Sequence, residues 1–94
     1  MAPPRLAAQI AAAARRLAAA GIPADEAAPE ARLLFRRALG LSRERLLLRD
    51  QPLTDPERAA LEPLLERRER REPLAYVLGE RGFHGLTFRV TPDV

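Results

Sequence analysis

The sequence predicts an all-α fold, a small bundle of about five helices followed by a short β-hairpin linker. Three observations carry this expectation. Apolar residues recur at helical spacing through most of the chain, Gly and Pro punctuate it at regular intervals, and a strand-like alternation begins only after Gly79. A chain of 94 residues holds one domain with a modest core, which places the bundle at residues 1–78 and the linker at 79–94.

The first helix is expected from Arg5 to Ala20, with Leu6, Ile10, Ala13 and Leu17 on one narrow stripe and Arg5, Gln9, Arg15 and Arg16 away from it. Gly21 closes it and Pro23 prevents its return. Asp25 is positioned to cap the second helix, with Pro29 tolerated near its start. Its buried face is Ala31, Leu34, Phe35 and Ala38, and Gly40 ends it. Leu33 falls on the side of Arg36 and Arg37, where a second packing contact is expected.

Ser42 caps a short third helix, and Leu41 ahead of the cap can close on Leu46 as a hydrophobic staple. Leu46, Leu47 and Leu48 in succession cannot share one face, so this helix is expected to be pinned between two neighbours. Thr54 followed by Glu57 is a capping box, with Pro56 allowed in the first turn. The fourth helix then buries Leu61, Leu64 and Leu65, with a kink expected near Glu62 because Pro63 removes a backbone donor. The alternating run from Glu66 to Glu72 reads as a solvated helix face with a Glu66–Arg70 pair. Pro73 opens a fifth, brief helix that ends at Leu78 before Gly79.

Beyond Gly79, Leu86, Phe88 and Val90 alternate with Thr87, Arg89 and Thr91, the period of a half-buried strand, and His84-Gly85 supplies a turn. Tyr76, Phe83 and Phe88 place most of the aromatic side chains in this last quarter. Tyr76 is expected to anchor in the core with its hydroxyl at the rim.

The composition excludes several function classes. No cysteine is present, so a disulfide framework or a Cys-based zinc site is ruled out, and a reducing, cytoplasmic setting is the expectation. The formal charge is +3 and every basic residue is arginine. Most of these arginines stand beside glutamates and lack interleaved aromatics, so nucleic acid is not the expected partner. Arg15 and Arg16 interrupt the alanine-rich opening, which leaves no membrane-spanning run.

No catalytic constellation is visible. His84 has neither a second nitrogen ligand nor a carboxylate pair, Ser42 has no base beside it, and Gly79, Gly82 and Gly85 do not open a helix as a phosphate loop would. The site residues are therefore none for catalysis, none for a cofactor and none for a metal. Arg36, Arg37, Arg67, Arg68 and Arg71 stand as candidate contacts for a protein partner.

The run from Arg71 to Val94, R-E-P-L-A-Y-V-L-G-E-R-G-F-H-G-L-T-F-R-V-T-P-D-V, resembles the segment that joins the helical N-terminal domain to the catalytic domain in release-factor glutamine methyltransferases. The Gly40–Leu48 stretch, G-L-S-R-E-R-L-L-L, is also similar to that family, and His84 departs from it where an aromatic is frequent. The resemblance implies a front end that docks peptide chain release factors, so that the glutamine of their Gly-Gly-Gln loop reaches an active site. It also implies an absent C-terminal methyltransferase domain beyond Val94, carrying an Asn-Pro-Pro-Tyr motif and a glycine-rich loop for S-adenosylmethionine. No cofactor is then expected within these 94 residues. The alternatives are a standalone helical protein-interaction module and an RNA- or ribosome-binding module.

Overall fold

The computed structural model describes residues 4–79, and these form five helices with no strand among them. The expected hairpin from Glu80 onward, with His84, lies outside the described residues.

Helix α1 (Leu6–Ala19) buries Leu6, Ala13 and Leu17, with Ile10 partly covered, as its stripe requires. It ends in a Schellman arrangement in which Gly21 N–H donates to Ala18 O at 3.0 Å and Ile22 N–H donates to Leu17 O at 3.1 Å. Ile22 thereby turns inward to 3% exposure, a core residue that a turn would not advertise.

Helix α2 (Ala24–Leu39) folds back on α1 and is the hub of the bundle, packing on α1, α4 and α5. Asp25 is not its cap: Pro23 precedes the first turn and no side chain caps it. Asp25 and Glu26 sit inside that turn instead, where their charge favours the positive end of the helix dipole. Pro29 lies well within the helix rather than near its start. The helix tolerates it because Pro29 and Asp25, whose carbonyl loses its partner, both face solvent. Ala27, Ala31, Leu34 and Phe35 are buried, and Leu33 packs against the core from one side as expected.

Helix α3 (Arg43–Leu48) begins where Ser42 Oγ accepts from Arg45 N–H at 3.1 Å. The expectation that it is pinned between neighbours fails. Leu46 alone is buried, while Leu47 and Leu48 are 68% and 84% exposed, because a six-residue helix offers only one side to the bundle. Helix α4 (Asp55–Glu69) starts with the full capping box, Glu57 N–H to Thr54 Oγ1 at 3.2 Å and Thr54 N–H to Glu57 Oε1 at 2.8 Å. It runs as one helix through the exposed Pro63, burying Leu61 and Leu65. Helix α5 (Leu74–Leu78) buries Val77 and Leu78. Tyr76 is 43% exposed and is not a core anchor: in so short a helix the inward side is already taken by Val77 and Leu78.

The α3–α4 connection is ordered by one side chain. Arg49 donates to Gln51 O at 3.1 Å and Pro52 O at 2.8 Å, and grips Glu57 with both terminal nitrogens at 2.9 and 2.6 Å. Gln9 Oε1 accepts from Leu53 N–H at 2.9 Å, Leu6 N–H donates to Asp50 O, and Arg5 pairs with Asp50, so the connection is also tied to α1. The hydrogen bonds from Arg49, and secondarily the Thr54 backbone N–H, hold the Glu57 carboxyl down from 4.5 to about 2. Arg16 in the same way depresses the Glu69 carboxyl. A carboxylate whose folded pKa is depressed contributes stability that is complete above its unfolded value and is lost as pH falls through the folded value. Urea midpoints should therefore fall as pH is lowered from 4.5 toward 2, and Glu57→Gln should flatten part of that fall. A wild-type profile that is level across this window would remove the Glu57 contribution.

Candidate docking surface

The arginines singled out from sequence do not stand free as a charged fringe. Each of them donates to a carbonyl or carboxylate of the described residues. Arg37 is exposed, yet its Nε donates to Leu78 O at 2.8 Å. Arg67 donates from Nε to Glu72 Oε1 at 2.8 Å and reaches Tyr76 O from Nη2 at 3.5 Å. Both carbonyls lie at the end of α5, where Tyr76 O also accepts from Gly79 N–H at 3.2 Å. Arg36 is half-buried and donates to Leu41 O at 3.4 Å, where the chain turns from α2 into α3.

Arg68 departs furthest from the expectation of a solvated face. Its Nε and Nη2 fork onto Glu30 at 2.7 and 3.2 Å, its Nη1 donates to Glu72 O at 2.9 Å, and the two side chains are only 14% and 10% exposed. The hydrogen bonds to Glu30 raise the Arg68 pKa further above its ordinary range, so its charge is permanent. Arg71 has φ of 71°, the left-handed position that glycine occupies after α1 and α2. Such a conformation costs a non-glycine residue about 1–2 kcal/mol. It aims the side chain back at α1, where Nη1 donates to Ala20 O at 3.3 Å. A Cβ on Gly21 would come within 2.5 Å of that same nitrogen, the movable end of a long side chain, so it is the backbone φ of 106° that favours glycine at 21.

The charged run on α4 also forms a clamp that its sequence does not reveal. Arg16 donates to Glu62 at 3.0 and 2.9 Å and to Glu69 at 3.0 and 2.8 Å. Glu62 and Glu69 are seven residues apart and so share one side of α4, which is the signal that was present in the sequence. The Glu66–Arg70 pair expected along the helix is replaced by Arg70 with Glu72 at 3.6 Å. Among the described residues no buried side-chain polar atom lacks a partner, no group of acidic or histidine side chains could hold a metal, and no helix is long and apolar enough to cross a membrane.

A second surface was not anticipated. Between α1, α2 and α3 runs an apolar groove of about 300 Å³, lined by Ala7, Ala11, Ala14 and Ala28 over the buried Leu6 and Leu46 and flanked by Leu47. Small side chains on two facing helices leave the depression, and α3 is too short to cover it. The stripe Ala7, Ala11, Ala14 on α1 was its sequence signal. The described residues thus present arginines around the end of α5 and, on another side, an open apolar groove.

Residues 8–79 match the family model described as the PrmC N-terminal domain. The chain is 46% identical over 71 residues to the release factor glutamine methyltransferase of Geobacter sulfurreducens, covering 74% of this chain and 25% of that protein. It is 47% identical over 83 residues to the enzyme of that name from Cereibacter sphaeroides, covering 87% and 29%. The corresponding Mycolicibacterium smegmatis protein is 42% identical over 91 residues, covering 96% and 31%. The chain therefore spans about a quarter to a third of the length of these curated relatives. No solved structure matches it significantly. With a family model matched over most of its length and relatives above 40% identity, this chain belongs to the PrmC N-terminal domain family.

Proposed function

We propose that this chain is the substrate-docking domain of a cytoplasmic, S-adenosylmethionine-dependent methyltransferase that modifies the glutamine of the Gly-Gly-Gln loop in peptide chain release factors. The observation that carries the reading is the family match, together with relatives named release factor glutamine methyltransferase. Its physical support is the arginine network. Arg37 and Arg67 hold carbonyls of α5 and fix that helix on the bundle. Direct partner contact falls to Arg37 and Arg71, the exposed members of the candidate set, with Arg36 and Arg67 half-covered beside them. Arg68 contributes by fixing α4 on α2. Exposed arginines of this kind act mainly on encounter rate and lose effect with salt.

Deletion tests the assignment. In the full-length methyltransferase, removing residues 1–78 should lower kcat/KM for release factor by about tenfold or more, or ~1.4 kcal/mol. Affinity for S-adenosylmethionine should stay unchanged. An undiminished kcat/KM would remove the docking role. The 94-residue chain itself should show no saturable binding of S-adenosylmethionine by calorimetry at micromolar ligand, a scale of about −8 kcal/mol. Binding there would overturn the division between docking and chemistry.

A further inference from the structure

We propose that the groove between α1, α2 and α3 is a docking site for an amphipathic protein helix carrying one apolar ridge flanked by carboxylates. The inference rests on the groove alone and is independent of the methyltransferase reading. Its shape argues for a single ridge of side chains. The α1 wall runs from Leu6 to Ala14, and at a rise of 1.5 Å per residue this is roughly 12 Å, or about two turns of an incoming helix. Buried Leu6 and Leu46 lie deepest, the small Ala7, Ala11, Ala14 and Ala28 line the sides and Leu47 stands at the edge, so an apolar side chain can enter between them. Leu47, 68% exposed, is the lip, and Leu48 extends the apolar border beyond it.

Charge selects the flanks of the occupant. The lining contains no carboxylate, and its two charged side chains are Arg32 and Arg49. Arg49 is already engaged with Glu57 and the α3–α4 connection. Arg32 is exposed and pairs with no described residue. Arg15 and Arg43 are likewise without described partners. Arg15 follows Ala14 and stands four residues after Ala11, while Arg43 stands four before Leu47, so helical register puts both at the groove's border. By the same register Asp25, three residues before Ala28, and Glu44, three before Leu47, also border the groove, so the selecting charge is Arg32 of the lining itself. An apolar trough whose one uncommitted lining charge is a guanidinium favours a leucine or phenylalanine ridge with Asp or Glu beside it. A lipid surface fits less well, since a flat bilayer would meet Leu47 and Leu48 and leave the buried Leu6 and Leu46 untouched.

The test uses two synthetic amphipathic peptides, identical except that glutamates flank the leucine ridge in one and lysines in the other. Each is titrated into the isotope-labelled 94-residue chain while backbone amide shifts are followed. The glutamate peptide should give saturable shifts at Ala7, Ala11, Ala14, Arg32 and Leu47, and the lysine peptide should bind about tenfold more weakly. In Arg32→Glu, an exposed change whose fold is checked by circular dichroism, that preference should narrow or reverse. Leu47→Ala should weaken both peptides. Absence of shifts up to millimolar glutamate peptide, equal binding of the two peptides, or shifts centred outside the groove would each overturn the proposal. Vesicles of phosphatidylcholine and phosphatidylglycerol form a separate arm: shifts there at Leu47 and Leu48 without the buried Leu6 and Leu46, and none with peptide, would make this a lipid-facing edge instead.

Discussion

Replacing Arg68 with alanine should destabilise the bundle by about 3–5 kcal/mol, the range for breaking one side of a covered ion pair. The cost comes mainly from what is left behind. Glu30 sits on α2 with its side chain 10% exposed, and without the guanidinium its carboxylate has neither a counter-charge nor good access to water. The carbonyl of Glu72 loses its donor as well, which loosens the turn from α4 into α5. Urea unfolding at pH 7 measures the effect, with Glu30→Gln and the double variant completing a cycle. The coupling should be large, because the fork of two hydrogen bonds is lost whole in either single variant. Replacing both residues with leucine and methionine should cost far less than Arg68→Ala alone, since no charge is then stranded. A loss below about 1 kcal/mol for Arg68→Ala would mean that water screens the pair as it does surface pairs.

That result would also separate what was legible in the sequence from what was not. Local chemistry was legible. Ser42, the Thr54–Glu57 box and Gly40 end or begin helices through bonds that span at most a few residues, and each was in place in the linear order. The core stripes of α1, α2 and α4 were readable for the same reason, as spacing along one helix decides which side chains fall together. The use made of the charged residues was not. Whether Arg68 meets water or Glu30 depends on how α4 lies across α2, and 38 residues separate the partners. Arg16 with Glu62 and Glu69 is the same case across α1 and α4. A run of mixed charge occupies every side of a helix, so composition alone assigned it to solvent.

The triple leucine shows the limit from the apolar side. Leu46, Leu47 and Leu48 are identical to any hydrophobicity scale, and only the placement of α3 decides that the first is 4% exposed and the others face outward. Ile22 and Leu53 were missed conversely, because they sit in turns where no periodicity marks a buried position. The candidate surface was therefore half visible. Its arginines could be named, but their engagement with the end of α5 and with α1, and the separate groove between α1, α2 and α3, are products of tertiary packing.

Phe35→Ala should have an effect of similar size, about 3–5 kcal/mol, by the different route of an internal cavity. Phe35 is 1% exposed and is the bulkiest fully buried side chain of the described residues. It lies on α2, the helix against which α1, α4 and α5 all pack, so collapse into the vacated space would require moving several elements at once. A domain of this size has a total stability of about 5–10 kcal/mol, so the variant should stand close to its unfolding midpoint at ambient temperature. Phe35→Leu retains most of the volume and should cost only about 1 kcal/mol. Leu48→Ala, on a side chain 84% exposed, should change stability by less than about 0.5 kcal/mol and serves as the surface control. Urea and thermal unfolding of the three variants should give Phe35→Ala, Phe35→Leu and Leu48→Ala in decreasing order of cost. If Phe35→Ala unfolds with the wild-type midpoint, the side chain is not the centre of the packing and α2 is not the hub.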